Sequence, residues 1–245
     1  MQIAAISDVH GNLAALNAVL ADIASRGVDT IVNLGDIVSG GLFPRETADR
    51  LIPLGLPTIR GNHERQLLTL ETDRMGASDR HAAAELRRDQ LDWIAAMPET
   101  LRLADDVLLV HGTPGSDLTY FLETVTPQGL RAATLEEIEE RAGTVDAAII
   151  LCGHTHIARV VRLGDGRTIV NPGSVGLPAY ADALPFPHVA ESGSPHARYA
   201  IVTRGEEGWS AELIQVAYDW DAAARDAEAR GRPEWGHALR TGRVG

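Results

Sequence analysis

Five short apolar segments of the chain each end in a cluster of aspartate, asparagine or histidine residues. The clusters are Asp8-Val9-His10, Gly35-Asp36, Gly61-Asn62-His63, His111-Gly112 and Gly153-His154-Thr155-His156. Short apolar runs that stop at glycine or aspartate are typical of buried strands. Binding sites in open α/β sheets form beyond the carboxyl ends of the strands, so side chains far apart in the sequence can meet there. The pattern predicts a sheet protein with a polar site at its strand ends.

The start of the chain predicts a βαβ unit. Residues 2–6 and 30–34 form apolar, strand-like runs. Between them, apolar residues recur at helical spacing and stop near Gly27: Leu13, Leu16, Val19, Leu20 and Ile23. A strand, a helix and a second strand in this order imply parallel pairing with a right-handed crossover.

The middle of the chain continues the alternation with one interruption. We predict strands at 56–60, 100–104, 107–110 and 147–152, and helices at 44–54 and 128–141. A polar, helical stretch at 64–97, with a break at 76–79, separates two of these strands. We therefore expect a helical cap segment over the edge of the sheet.

The last third of the chain favours antiparallel hairpins. Turn signals separate strand patterns at 157–163 and 167–171, and again at 198–203 and 209–216. The stretch 178–197 is rich in Pro, Gly, Ser and His and is predicted to be a long loop near the site. A helix is expected at 219–230, followed by a short tail. With no linker and no internal repeat, we expect residues 1–245 to form one domain.

The composition excludes several kinds of site and partner. All 22 basic residues are arginine, so the chain has no lysine for a Walker-type phosphate loop or a Schiff base. A single cysteine excludes an internal disulfide. The net charge of −12 argues against binding of long nucleic acid or an anionic membrane. Because the N-terminus does not resemble a signal peptide, we expect a cytoplasmic protein.

The five clusters supply enough ligands for two divalent metal ions. Asp8 and His10 are two residues apart, so their side chains leave the same face of an extended segment, and His154 and His156 repeat this spacing. Aspartate, asparagine and histidine without cysteine suit ions of intermediate hardness. Seven ligands exceed the needs of one ion, so we predict two ions about 3.5–4 Å apart, bridged by a carboxylate. The candidate ligands are Asp8, His10, Asp36, Asn62, His111, His154 and His156.

The charge of such a site points to a phosphorylated substrate. Two divalent ions outweigh the two aspartates and a bridging hydroxide, so the site is locally cationic. The ions would convert bridging water to hydroxide at neutral pH and stabilise its in-line attack on phosphorus. His63 follows the ligand Asn62 and can reach the substrate without binding a metal. We predict that His63 protonates the leaving oxygen or stabilises its charge.

The ordered set D-x-H, G-D, G-N-H, H and G-H-x-H over residues 8–156 resembles the calcineurin-like metallophosphoesterase superfamily. The sequence NPGSVG at 171–176 and the C-terminal stretch AYDWDAAARDAEARGRPEWGHALRTGR resemble its bacterial branch of small phosphodiesterases and dinucleoside-polyphosphate hydrolases. The resemblance therefore extends over nearly the whole chain.

The resemblance implies a four-layer α/β/β/α sandwich, with two facing mixed sheets and a dinuclear centre between the strand ends. It implies that Asp8, His10 and His156 bind one ion, that Asn62, His111 and His154 bind the other, and that Asp36 bridges both. It assigns His63 the role of acid. The family commonly works with manganese, iron, nickel or cobalt, and with zinc in some members; of these we expect manganese. It implies a hydrolase that acts on small, nucleotide-like phosphate esters.

Two alternative functions stay open at this point. Ser/Thr protein phosphatases of the superfamily carry an arginine in a G-D-x-V-D-R-G element, whereas residues 35–41 here read GDIVSGG. Their GNHE element does occur here, at residues 61–64. The other alternative is a non-catalytic scaffold with the same fold, as in the retromer subunit. Scaffolds tolerate loss of the ligands or of the acid histidine, and this chain has lost neither.

Three further residues are candidates for binding substrate. Arg60 can hold a phosphate, although arginines at strand ends more often form surface ion pairs. Gly40, with Gly41 beside it, can let substrate approach Asp36, or can belong to a plain loop. Tyr120 can stack on a nucleotide base, although packing is the commoner role of such a residue. The oligomeric state is not predicted.

Overall fold

The computed structural model describes residues 1–245 and begins with a strand, a helix and a second strand, followed by a run of helices. The strands are β1 (Gln2–Ile6), β2 (Thr30–Asn33), β3 (Leu101–Ala104), β4 (Val107–Leu109), β5 (Glu123–Thr126), β6 (Gly129–Ala132), β7 (Ile149–Leu151), β8 (Arg159–Arg162), β9 (Thr168–Asn171), β10 (Ala179–Asp182), β11 (His188–Glu191), β12 (Ala197–Gly205) and β13 (Gly208–Val216). The helices are α1 (Leu13–Arg26), α2 (Pro44–Leu51), α3 (Asn62–Thr69), α4 (Ala77–Glu85), α5 (Arg88–Ala95), α6 (Leu135–Ala142), α7 (Trp220–Ala229) and α8 (Pro233–Thr241).

Two mixed sheets form the centre of the protein. The first sheet has the order β13-β12-β1-β2, and the second has the order β3-β4-β7-β9-β8. In the first sheet, β1 and β2 are parallel, as the βαβ pattern predicts. In the second, β4, β7 and β9 are parallel, and antiparallel strands flank them. The two antiparallel hairpins that we predicted for the last third of the chain are confirmed as β8–β9 and β12–β13.

The alternation of side chains along β1 places this strand between two apolar layers. Ile3 and Ala5 point into a core that also contains Val107 and Leu109 of the second sheet, so the two sheets face each other. Ala4 and Ile6 point the other way, into a core with α1. On the outer face of the second sheet, Leu108 and Ile150 pack with Ile138 of α6. The four layers are helices, sheet, sheet and helix, which confirms the predicted fold.

The helical segment predicted at 64–97 is present as α3, α4 and α5. Leu67, Ala82 and Ile94 are buried in the same core as α1, so this segment covers the helical face of the first sheet. The break lies between Thr69 and Ala77, whereas we predicted it at 76–79. The helix α4 therefore begins inside the predicted break, and its first turn contains Ser78 and Asp79.

Two predicted elements in the middle of the chain are wrong. Residues 56–60 do not form a strand, because Pro57 lacks an N–H and only Thr58 bridges to Asn33 of β2. The first residues of the predicted helix at 128–141 belong instead to the hairpin β5–β6, whose turn contains Gly129 at a φ of 113°. Helix α6 starts only after Thr134, which caps it by accepting a hydrogen bond from the Glu137 N–H.

Two predictions near the C-terminus also need correction. The stretch predicted as a loop at 178–197 contains the hairpin β10–β11. The predicted tail contains a second helix, α8, with Pro233 in its first turn and Gly242 at its C-cap. Leu177, Trp235 and Leu239 share a small core with α7, and this core holds both additions against the body of the protein. None of the helices combines the length and the apolar character that a bilayer span requires.

Candidate metal centre

Two groups of polar side chains, all buried except the half-buried His154, meet where the strands of both sheets end. The first group is Asp8, His10 and His156, and the second is Asp36, His111 and His154. Within each group, the potential ligand atoms lie within 4.8 Å of one another. The aspartates and His10 follow β1 and β2 of the first sheet, whereas the other histidines follow β4 and β7 of the second. Each group therefore forms only because the two sheets face each other.

The backbone at these residues turns sharply into the site. Every non-glycine residue with a positive φ is a predicted metal ligand: Asp8 (55°), His10 (50°), Asp36 (54°), His154 (70°) and His156 (61°). This left-handed region is unfavourable for residues with a Cβ, and residues held in it cluster at functional sites. Backbone hydrogen bonds between the loops hold the turns, such as Asp8 N–H to Gly35 O at 3.0 Å.

Backbone carbonyls set the protonation of three histidine rings. The Nδ1 atoms of His10, His111 and His156 lie 2.6, 2.7 and 2.7 Å from the carbonyl oxygens of Ser39, Leu34 and Leu177. A carbonyl accepts only, so each Nδ1 carries a proton and each Nε2 points into the site. His154 is reversed, because its Nε2 donates to Leu118 O at 3.1 Å and leaves Nδ1 free.

The lone pairs converge in a way that fits a bound cation. The Nε2 atoms of His10 and His156 are 3.0 Å apart, and two facing lone pairs at this distance repel each other unless a positive charge lies between them. Burial, with His156 nearby, lowers the pKa of His10 to about 4, so this ring is neutral at pH 7. Burial and the charge of His111 likewise lower the pKa of His154 to about 4. Neutral imidazoles beside carboxylates are a donor set for a divalent transition metal.

In the second group, a proton on His111 Nε2 lies where a metal ion would bind. Asp36 Oδ2 lies 3.2 Å from His111 Nε2. Burial opposes a charge on His111, but the Asp36 carboxylate raises the pKa of this imidazole to about 10. The Oδ1 atom of Asn62 lies 3.1 Å from the same Nε2 and completes this group. Metal binding here must displace the proton, as is usual for histidine ligands.

A buried glutamate that sequence reasoning missed supports the second group. Glu64 accepts hydrogen bonds from the N–H groups of Asp36, Ile37 and Gly61 at 2.8, 2.8 and 2.9 Å. Its carboxylate joins the loop after β2 to the start of α3, which carries Asn62. The signal in the sequence that could have identified this role is the position of Glu64 at the third residue of a helix, where a glutamate commonly caps the N-terminus.

The NPGSVG segment supports the loops that carry the first group. Asn171 donates to the carbonyl oxygen of Gly153 at 2.7 Å and thereby holds the loop of His154 and His156. Ser174 Oγ donates to Asp8 O at 2.7 Å. At Gly176, an added Cβ would lie 1.7 Å from the carbonyl oxygen of Val9, so only glycine fits this close approach.

His63 lies beside both groups and lines the cavity into which they open. Its backbone N–H donates to Asp36 Oδ1 at 3.0 Å, and its Nδ1 lies 2.7 Å from Oδ1 of the buried Asp79. Burial opposes the charged ring, but the carboxylates of Asp36 and Asp79 raise the pKa of His63 to about 9. At neutral pH, His63 is therefore protonated, with Nε2–H free to donate. Sequence reasoning missed Asp79, because it lies in the predicted break.

Asp79→Asn is expected to lower kcat by about 10- to 150-fold, equivalent to one charge-assisted hydrogen bond of about 1.5–3 kcal/mol. Removing the carboxylate lowers the pKa of His63. His63 must be protonated to act as an acid, so the alkaline limb of the kcat–pH profile should move to lower pH. The test is this profile on a phosphodiester with a nucleoside leaving group. Asp73→Asn, at an exposed position just before α4, is the control, and an unmoved limb in Asp79→Asn would contradict the positioning role.

The three candidate substrate-binding residues have different surroundings. Arg60 pairs with Glu99 and does not line the cavity. Gly40 is packed against His10 and Trp235, since an added Cβ would lie 2.0 Å from the His10 carbonyl oxygen. Tyr120 does line the cavity.

Two tyrosines cover the histidines of the site. The Tyr120 ring lies edge-on to His154 at 4.9 Å, and the Tyr180 ring lies edge-on to His156 at 4.7 Å. Their hydroxyls are 2.7 Å apart, and the Tyr120 hydroxyl also lies 2.9 Å from Nε2 of His188. Tyr180 and His188 belong to the hairpin β10–β11, so the stretch predicted as a loop does reach the site.

The site forms the floor of a cavity of about 1060 Å³. One wall is formed by Ser78, Arg232 and Trp235. Elsewhere the lining includes the apolar or aromatic residues Leu118, Tyr120, Val125, Leu184 and Pro185, together with the charged residues Glu123, Arg141 and Asp182. This volume is at the upper end of ligand pockets, so a substrate much larger than inorganic phosphate fits.

Comparisons with known proteins agree over most of the chain. A sequence model of the calcineurin-like phosphoesterase superfamily domain matches residues 1–189. Uncharacterized protein MJ0912 of Methanocaldococcus jannaschii is 28% identical over 265 aligned positions, which cover 98% of each chain. A metallophosphoesterase from Sphaerobacter thermophilus has a TM-score of 0.75 at 25% identity, covering 99% of this chain and 100% of that one. Hypothetical protein PH1004 of Pyrococcus horikoshii has a TM-score of 0.77 at 19% identity, covering 100% and 99%.

Proposed function

Because the chain belongs to the calcineurin-like phosphoesterase superfamily, we propose that it is a two-metal hydrolase of small, nucleotide-like phosphate esters. The observation that carries this proposal is the pair of ligand groups on the cavity floor, with the protonated His63 beside them. We assign Asp8, His10 and His156 to one ion. We assign Asn62, His111 and His154 to the other, with Asp36 shared between them.

The donor set supports a pair of intermediate divalent ions, for which we propose manganese, with iron, nickel, cobalt and zinc as alternatives. Such a pair lowers the pKa of water and offsets the negative charge that develops on a phosphoryl group. The chain itself orients the ligands, through the carbonyls that fix each imidazole and through Glu64. The buried loops exclude bulk water from Asp8, Asp36 and His111.

His63 completes the reaction by supplying a proton to the leaving oxygen. Its Nδ1 is held by Asp79, so Nε2–H is the atom that donates. The raised pKa keeps this proton in place at neutral pH, and the leaving oxygen of an ester becomes basic enough to take it as the bond to phosphorus breaks. Asp79 then stabilises the ring while it recovers a proton from solvent.

The cavity favours a small substrate with an apolar or aromatic part. A phosphoryl group on the floor places the rest of the molecule against Leu118, Tyr120 and Leu184. A nucleoside fits this description, and the acidic surface, with a net charge of −12, disfavours long nucleic acid and anionic membranes. We also propose, from the sequence, that the protein acts in the cytoplasm.

The experiment is turnover of bis(p-nitrophenyl) phosphate and diadenosine tetraphosphate by metal-stripped protein refilled with Mn²⁺. We expect no turnover after stripping and recovery with Mn²⁺. Refilling with Ca²⁺ is the matched control, because Ca²⁺ requires more oxygen ligands than this histidine-rich site offers. Inactivity with every divalent metal over a panel of phosphate esters would overturn the proposal and favour the scaffold. Activity confined to phosphoproteins would favour the protein phosphatase.

A further inference from the structure

The C-terminal helices contribute two side chains to the cavity that holds the metal ligands. Arg232 immediately precedes α8, and Trp235 lies in its first turn. Both line the cavity, although they lie beyond the residues 1–189 that the family model matches. Neither was among the candidate site residues predicted from the sequence. The Arg232 guanidinium is therefore placed to bind a ligand in this cavity.

The guanidinium of Arg232 is held in place by three neighbours. Its Cζ lies 5.2 Å from the centroid of the Trp235 ring. Its Nη1 and Nη2 atoms donate to Ser78 Oγ at 3.2 and 3.3 Å. Its Nε donates to Glu234. The Arg232 side chain is only 19% exposed, so it is an ordered part of the wall.

Gly40 and Gly41 provide the space that Arg232 and Trp235 occupy. At Gly41, an added Cβ would lie 3.2 Å from Cδ2 of Trp235 and 3.3 Å from Cγ of Arg232. At Gly40, an added Cβ would lie 2.9 Å from Cη2 of Trp235. The glycine pair in the loop after Asp36 thus allows the C-terminal segment to approach the site closely. The sequence left open whether this pair admits substrate or belongs to a plain loop, and in the structure the C-terminal segment occupies the space beside it.

The guanidinium keeps two N–H groups for a ligand. Arginine has five N–H donors. Glu234 takes the one on Nε, and the Ser78 hydroxyl takes one from each Nη, so each Nη retains one N–H. Because Ser78 Oγ is shared by both Nη atoms, it occupies the end of the guanidinium between them, so the two remaining N–H groups diverge and each can donate to a different anionic oxygen.

The charge of Arg232 is not cancelled within the cavity. Its partner Glu234 is 61% exposed, so water screens that ion pair strongly. Ser78 and Trp235 are neutral. The positive charge therefore acts on whatever occupies the cavity, and an anion gains more from it there than in open water.

Arg232 lies close to the first ligand group. The Trp235 ring lies edge-on to the ring of His10, with centroids 6.1 Å apart, and Arg232 packs against the same Trp235 ring. A substrate with one phosphoryl group on the metal centre therefore extends past Trp235 to reach Arg232. Leu118 and Tyr120 remain available for a base or another apolar part.

From this geometry we propose that Arg232 binds a second phosphate group of the substrate and thereby determines which phosphate esters the protein prefers. The inference rests on the proposed function, because it takes the phosphoryl group that reacts to lie on the metal centre. The second phosphate belongs either to a pyrophosphate linkage or to a separate position on the same molecule. Both present anionic phosphoryl oxygens to an N–H group of the guanidinium.

The test is competitive inhibition of bis(p-nitrophenyl) phosphate turnover by AMP, ADP and adenosine 3′,5′-bisphosphate, in the Mn²⁺-loaded protein. We expect at least one of the two doubly phosphorylated ligands to bind more tightly than AMP. In Arg232→Gln, we expect that ligand to lose about 10- to 150-fold in affinity, the value of one charge-assisted contact, and AMP to lose far less. Preference for ADP identifies the linked source, and preference for the bisphosphate identifies the separate one.

Two further variants keep the result interpretable. Arg232→Lys retains the charge without the planar guanidinium and should give an intermediate loss. Arg240→Gln removes an arginine of the same helix that pairs with Glu228 and Asp221 and does not line the cavity, so it should retain the wild-type ratios. Equal losses for AMP and for the doubly phosphorylated ligands in Arg232→Gln would overturn the inference and leave Arg232 a packing residue.

Failure of the proposed function gives a different result from failure of this inference. Wild-type protein that turns over no phosphate ester contradicts the proposed function. In that case, calorimetric titration with AMP and ADP still measures whether Arg232→Gln removes the contribution of the second phosphate. Wild-type protein that is active, but binds AMP and both doubly phosphorylated ligands equally, contradicts only the role of Arg232.

Discussion

Replacing His63 by glutamine is expected to lower kcat by about 10²–10⁴-fold, the usual contribution of a general acid, while metal content stays unchanged. The loss should be largest for a phosphodiester with a nucleoside leaving oxygen, which is basic and needs a proton. It should be much smaller for bis(p-nitrophenyl) phosphate, since p-nitrophenolate leaves readily without one. The measurement is kcat on both substrates, with metal content from atomic emission.

His237→Gln is the matched control for this variant, because His237 is exposed on α8. It should retain the activity of the wild type on both substrates. Loss of metal in His63→Gln would show that His63 is a ligand and not an acid. An equal loss on both substrates would show that His63 stabilises charge on the phosphoryl group instead of protonating the leaving oxygen.

Asp36→Asn is expected to weaken binding of both metal ions together, by more than about 100-fold, and to abolish measurable turnover. Loss of a residue that only supports a ligand already costs about 10–100-fold in metal affinity, and Asp36 is proposed as a direct and shared ligand. The amide also removes a negative charge that faces His111 Nε2 at 3.2 Å. The measurement is titration of metal-stripped protein with Mn²⁺, followed by calorimetry.

The control for Asp36→Asn is Asp165→Asn, in the exposed turn between β8 and β9. It should bind both ions as the wild type does. Selective loss of one ion in Asp36→Asn would show that the carboxylate does not bridge the two. A fall in the melting temperature of the metal-free protein would show that the loop after β2 had unfolded, so that temperature is measured alongside.

The positions of six of the seven candidate ligands, all but Asn62, could be predicted because each depends on a local rule. Apolar runs predicted β1, β2, β4 and β7, and residues that follow parallel strands meet at one edge of a sheet. The helix α1 has a regular apolar face and a glycine at its C-cap, so its bounds also follow from the sequence. For these elements, local propensity and tertiary packing favour the same structure.

The remaining features depend on contacts between distant segments. Residues 56–60 have the apolar character of a strand, but the neighbouring β2 offers pairing at only one residue. Asp79 contacts His63, and Arg232 contacts Ser78, only because α3, α4 and the start of α8 pack together, which no periodicity indicates. Both contacts depend on one turn of α4, which holds Asp79 and Ser78 side by side.

The left-handed backbone at five ligands has a consequence for how this protein can evolve. Each such residue costs about 1–3 kcal/mol, so five together approach the net stability of a whole domain, about 5–15 kcal/mol. Packing in the rest of the chain, chiefly in the apolar layer between the two sheets, must offset this free-energy cost. Selection for heat resistance alone, with no metal in the medium, should therefore replace these five residues by glycine or asparagine. Activity and robustness compete at the same five positions, and relatives that have abandoned catalysis should have lost these residues before any others.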